Sequence, residues 1–214
     1  MECLKLTKSN RPHTPAEAWA AILEGNQRFV TDKPAHVRQD FGLRQELAKE
    51  QKPFAALFGC ADSRLSAEII FDVGLGDLFV VRNAGQVIAE TILGSLEYAV
   101  EVLGVPLILV LGHDECGAIR ATMNSTEGQP MPKGEFIHNL VERITPTVLA
   151  AKAYGLNEID EITAVHIKHT IDELIARSTL IAERIESGKL AVVGANYKLA
   201  LGEIQEIATI GQTR

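Results

Sequence analysis

A chain of 214 residues has room for one domain with a substantial core, and 46% hydrophobic with 23% charged residues is the balance of a globular protein. The formal charge of −7 argues against nucleic acid and anionic membrane as partners, both of which select basic surfaces. No apolar run approaches the ~18 residues of a membrane span, Met1 to Pro15 lacks the apolar stretch of a secretory signal, and three cysteines, an odd count without scaffold spacing, suit a reducing cytoplasmic setting.

In chain order, Thr14-Pro15 is a helix start, an N-cap followed by proline in the first turn. The helix is predicted from Pro15 to about Phe29, with Trp19, Ile22, Leu23 and Phe29 on one apolar stripe. A polar stretch from Thr31 to Asp40 leads into a short helix from about Leu43 to Glu50. Four wholly apolar runs of strand length follow: Phe54 to Gly59, Leu78 to Val81, Leu107 to Leu111 and Leu190 to Gly194. Between them lie helical patterns at Ser66–Phe71, Thr91–Leu103, Ile119–Met123 and Phe136–Tyr154, then a long one from about Glu158 to Ser187. Tyr197 to Ile207 is read as a short antiparallel edge strand. Continuous apolar strands alternating with helices specify α/β architecture, a short parallel sheet covered on both faces. The expected organisation is a single domain over 1–214, with a helical arm at 1–50 and an α/β core at 51–214.

Two segments carry chemistry: Cys60-Ala61-Asp62-Ser63-Arg64 and His113-Asp114-Glu115-Cys116. Cys60 directly follows the first strand and His113 ends the third, and ligands of open α/β sheets gather outside the carboxyl ends of strands. Cys116, three positions after His113, enters the next helix, whose first amides near Gly117 are expected to lower its pKa. Two thiolates and an imidazole suit Zn²⁺ better than Mg²⁺ or Ca²⁺. Three protein ligands with one open position describe a catalytic zinc rather than a closed structural one. Asp62, two residues past a thiolate, is placed either to bind the metal or to accept a hydrogen bond from its water, and Arg64 to hold Asp62 bidentately and keep it ionised. A structural zinc site lacks a fourth Cys or His, because Cys3 on the N-terminal tail is remote. A redox or nucleophilic thiol lacks the C-x-x-C pattern.

These segments together resemble the β-class carbonic anhydrases. The likeness extends through Glu68 to Asp72, Asp77 to Gly85, Gly94 to Val100, Gly117-Ala118 and Val193 to Tyr197, covering roughly Pro15 to Ile207. The resemblance implies one Zn²⁺ per chain on Cys60, His113 and Cys116, with Asp62 as an alternative fourth ligand, and Asp62 with Arg64 as the catalytic dyad. It implies substrate contacts from Gln51 across a dimer interface, from Phe79 and Ala84 lining the CO₂ pocket, and from Gly117. Gln86 stands where asparagine is common, and Leu57 replaces a tryptophan that some members use in regulatory bicarbonate binding. The implied reaction is CO₂ + H₂O ⇌ HCO₃⁻ + H⁺, by a zinc-bound hydroxide. The implied assembly is a homodimer or homotetramer whose N-terminal helices embrace a neighbour, a role for which the Trp19 stripe needs a partner surface. Related proteins hydrolyse carbonyl sulfide or carbon disulfide on such a site, and a non-catalytic zinc protein is the third reading.

The remaining candidates are weaker. His166 and His169, beside Asp172 and Glu173, read as decoration of a solvated helix face rather than a second metal site, and His138 reads as a helix-surface histidine. Cys3 reads as a bystander thiol. Gly74, Gly76 and Gly85 read as turns or close approaches, not as a dinucleotide fingerprint.

Overall fold

The structure, a computed structural model, describes residues 11–38 and 41–213. Cys3 therefore lies outside the described residues. The elements run α1 (Pro15–Val30), α2 (Phe41–Leu47), β1 (Ala55–Cys60), α3 (Ala67–Ile70), β2 (Leu78–Asn83), α4 (Glu90–Glu101), β3 (Leu107–His113), α5 (Gly117–Thr126), α6 (Glu135–Ala153), α7 (Ile159–Arg177), α8 (Thr179–Glu186), β4 (Ala191–Lys198) and β5 (Glu203–Ile210).

The sheet order is β2-β1-β3-β4-β5, with β1 through β4 parallel and β5 antiparallel at the edge. Every residue of β1 and β3 is buried, which is why both read as unbroken apolar runs. One core layer sets Trp19, Ile22, Phe71, Ile119, Ile144 and Val148 against one face of the sheet. The other sets Ile92, Leu96, Ile167, Ile171, Leu174 and Ile181 against the opposite face. From β1 the chain moves outward to β2, then returns to lay β3 on the other side of β1. The carboxyl ends of β1 and β3 thus flank a topological switch point, the crevice where parallel α/β sheets bind ligands.

Three expectations need correction. The long helix from Glu158 is two helices: Ser178 (φ −116°, ψ 100°) ends α7, and its hydroxyl caps α8 by accepting from Ile181 N. The edge strand begins at Glu203 rather than Tyr197, which still belongs to β4 opposite Ile204. The Trp19 stripe needs no partner at Trp19 and Ile22, which are 4% and 0% exposed within their own chain, whereas Leu23 stays 42% exposed. The start of α1 is as read: Thr14 and Glu17 form a capping box, with Pro15 at the first turn.

Candidate metal centre

Cys60 is the last residue of β1, His113 the last of β3 and Cys116 the residue before α5. Chain pairing fixes the first two, since Gly59 lies opposite Leu111 and the two strands end side by side. Glu115 at φ 54° turns the chain so that Cys116 comes back toward His113. The two sulfurs and a ring nitrogen lie within 4.8 Å of one another, and all three residues are buried.

Each group is held from behind. His113 Nδ1 donates to the Asp114 carbonyl at 2.7 Å, because a carbonyl only accepts, so Nε2 carries the bare lone pair. That buried Nε2 has no hydrogen-bond partner, an arrangement a metal ion satisfies and water exclusion otherwise penalises. Gly85 N–H donates to Cys60 Sγ at 3.4 Å. Arg82, which sequence reasoning passed over, donates from Nε to the Cys60 carbonyl at 2.9 Å and from Nη2 to the Asp62 carbonyl at 2.6 Å.

The electrostatics fit a cation. The facing Cys116 thiol, foremost, and the Gly85 amide pull the Cys60 thiol down to about 4. Cys116 is pushed up by the facing Cys60 thiolate and by burial. Amides of Ala118 and Ile119 do favour its thiolate, in the direction predicted for the helix start, but the neighbouring sulfur outweighs them. Two buried sulfurs this close ionise together only with a positive charge between them. Burial acts to lower the His113 pKa, yet the adjacent Cys60 raises it on balance. A borderline nitrogen with two soft sulfurs is a zinc donor set.

Asp62 stands at the rim, one oxygen 3.9 Å from His113 Nε2. Arg64 grips it through Nε at 2.9 Å, Nη2 at 2.7 Å and its own backbone N–H at 2.9 Å. The guanidinium holds the Asp62 carboxyl well below the usual carboxylate range. The bidentate clamp read from Cys60-x-Asp62-x-Arg64 is therefore present.

Of the four positions carried over for substrate, two adjoin the cluster: Ala84 precedes the Gly85 that donates to Cys60, and Gly117 follows Cys116. Gln51, Ala84 and Gly117 are exposed, and no atom would crowd a Cβ at Gly117. Phe79 pairs with Ala56, four residues before Cys60, or about 13 Å along the strand. There it packs on Tyr98 with ring centroids 6.1 Å apart.

His166 overturns its sequence reading. It is 3% exposed rather than solvated, and its Nε2 meets the Gly85 carbonyl at 2.7 Å. His169 is exposed and His138 half-buried, its Nε2 against the Pro132 carbonyl. Gly85 is a close approach as expected: φ is 76°, and a Cβ there would lie 2.9 Å from both Ala118 and Ile144. Gln86, wholly buried at φ 40°, leaves both side-chain polar atoms without partners.

A family profile described as carbonic anhydrase matches residues 55–204. A carbonic anhydrase of Mycolicibacterium smegmatis is 48% identical over 92% of this chain and 95% of its own length. Carbonic anhydrase 2 of Mycobacterium tuberculosis is 50% identical over 94% and 99%. Beta carbonic anhydrase 3 of Arabidopsis thaliana is 33% identical over 81% and 72%. Among solved structures, a Coccomyxa β-carbonic anhydrase in complex with acetazolamide superposes with a TM-score of 0.69 at 26% identity, covering 88% of this chain and 86% of that one. Among the described residues no helix is long and apolar enough to cross a membrane.

Proposed function

The chain belongs to the β-carbonic anhydrase family and is a carbonic anhydrase, and from that premise we propose that it interconverts CO₂ and bicarbonate at one zinc ion per chain held by Cys60, His113 and Cys116. The observation that carries this reading is the buried, partnerless His113 Nε2 facing two sulfurs within 4.8 Å. When bound, zinc supplies the Lewis acidity that activates water as a nucleophile near neutral pH.

The chain's own groups supply orientation. Asp62, kept ionised by Arg64, accepts a hydrogen bond from the attacking water and aims its lone pair at CO₂. Arg64 holds both carboxylate oxygens, so Asp62 stays off the metal while the clamp is closed. Were Arg64 to release it, Asp62 would be the residue placed to hold the zinc alongside Cys60, His113 and Cys116 and so silence the centre. Gly85 N–H and Arg82 fix Cys60 and the turn behind it.

Substrate contact calls for a second copy of the chain. Gln51 is exposed and Phe79 lies on the partly exposed edge strand β2, so these two complete the CO₂ pocket from a neighbouring subunit of a homodimer or homotetramer, beside Ala84 and Gly117 of the first. The two tetrameric β-carbonic anhydrases of Sordaria macrospora share this fold. Two unbridged buried cysteines and thiolate ligation both favour the reducing cytoplasm.

Stopped-flow CO₂ hydration with zinc analysis, across neutral to mildly alkaline pH, tests the reading. One zinc per chain with alkaline-activated hydration supports it. Zinc without hydration, accompanied by H₂S release from carbonyl sulfide, would transfer the site to the other substrate. Zinc with neither activity would leave a non-catalytic protein.

A further inference from the structure

The loop that presents Gly85 to Cys60 is fixed by hydrogen bonds at its base and meets α7 at its apex. Gly85 (φ 76°) and Gln86 (φ 40°) are consecutive residues in the left-handed region. Gln86 gives no anchor, since neither side-chain polar atom finds a partner. At the loop's base the Asn83 side chain closes a ring, accepting from Val87 N at 2.8 Å and donating to Val87 O at 2.7 Å. At its apex the polar contact comes from α7: His166 Nε2–H donates to Gly85 O at 2.7 Å. The opposite face of the same residue donates Gly85 N–H to Cys60 Sγ at 3.4 Å.

We infer that His166 is a positioning residue of the metal centre, which fixes Gly85 so that its N–H stays aimed at the Cys60 thiolate. This rests on the zinc reading above and deepens it. The tautomer follows from the partner: a carbonyl only accepts, so the proton is on Nε2, and Nδ1 is the ring nitrogen without a partner. Burial keeps the ring neutral by lowering its pKa, consistent with one proton permanently committed to Gly85. An amide hydrogen bond withdraws charge from a thiolate, which leaves the metal more electrophilic and the metal–sulfur bond less open to protonation. His166 lies on the buried stripe of α7 with Ile162 and Thr170, where its polar ring is matched by the Gly85 carbonyl.

The experiment compares wild type with His166→Leu, His166→Gln and His166→Asn. Glutamine places an amide nitrogen where Nε2 was, whereas asparagine falls short of Gly85 O. Two readouts other than activity are taken: the thiolate-to-cobalt charge-transfer band of the Co²⁺-substituted proteins, and the rate of Zn²⁺ release to a chelator. Expected are a red-shifted band and release about tenfold faster for the leucine and asparagine variants, with glutamine close to wild type. If His166→Leu fails to fold, the Gln and Asn pair carries the comparison, because both bury a similar amide. Identical bands and release rates in those two would overturn the inference. So would ¹⁵N chemical shifts of the wild-type imidazole showing the proton on Nδ1, a measurement that needs no variant. Wild type that takes up neither metal with thiolate charge transfer would instead overturn the zinc reading, and this inference with it.

Discussion

Among the described residues, two buried polar clusters are built to different rules. Behind α1, Asp72 and Asp77 are 4% and 2% exposed, yet their carboxylates are filled. Asp72 accepts from Arg28 Nε, Ala35 N and His36 N. Asp77 accepts from Gly74 N at 2.8 Å and pairs with Arg38 at 2.8 Å and Arg11 at 3.6 Å. At the carboxyl edge of the sheet, Cys60, His113 and Cys116 are as deeply buried, but His113 Nε2 has no partner and the two sulfurs face each other. The Asp72 and Asp77 carboxylates are satisfied by groups of their own chain; the metal centre leaves the His113 ring nitrogen open for something else.

Four experiments test that contrast. The largest effect is expected at the ligands: Cys116→Ser or His113→Asn should lose stoichiometric zinc and reduce hydration to background, measured by metal analysis and stopped flow. Retained zinc in either variant would remove that residue from the ligand set. Asp62→Asn should keep zinc and the fold but lose about 10²–10⁴-fold in kcat/KM, since the amide cannot accept the hydrogen bond in the same way. Asp72→Asn belongs to the other cluster and should behave in reverse. It leaves a largely buried guanidinium uncompensated and costs about 3 kcal/mol, the low end for such pairs because Arg28 keeps some water contact, read by urea unfolding with activity per zinc unchanged. Arg64→Ala should be mildest, roughly tenfold in kcat/KM, because Arg64 is half exposed.

The sign of its pH effect is fixed by the clamp. Arg64 depresses the Asp62 pKa, so removing it raises that pKa toward the ordinary carboxylate value. Asp62 then protonates at a higher pH as acid is added, and the acidic limb of the rate profile moves up. An unmoved limb in Arg64→Ala would mean that Asp62 owes its ionisation to something other than the guanidinium.

Much of this was legible in the chain because the decisive signals are local. Phe54 to Gly59 and Leu107 to Leu111 announce strands buried on both faces, and the structure buries both in full. Cys60, Asp62 and Arg64 sit within one turn, so their mutual geometry is nearly dictated by spacing. Misreadings arose where tertiary partners decide. Ser178 breaks a helical run without Gly or Pro, because its hydroxyl both caps α8 and donates to Glu97 of α4 at 2.6 Å. Arg82 and Gly85 touch Cys60 from 22 and 25 residues away, and no short pattern encodes that. His166 was misassigned for a different reason. Nearby Asp172 and Glu173 suggested a wet face, while Ile162, Thr170 and Leu174 at helical spacing already marked the buried stripe on which it lies.

The placement of the centre across the switch point has a consequence for how the molecule comes into being. His113 follows Cys60 by 53 residues, and the two meet only after β2 and α4 have been laid down and β3 has docked on β1. On a ribosome adding about 5–20 residues per second, Cys60 waits for seconds as a lone thiol before its fellow ligands exist. Capture of a metal ion would therefore be a late event of maturation, and thiol alkylation during refolding should find Cys60 and Cys116 losing reactivity together, when β1 and β3 pair, rather than one after the other.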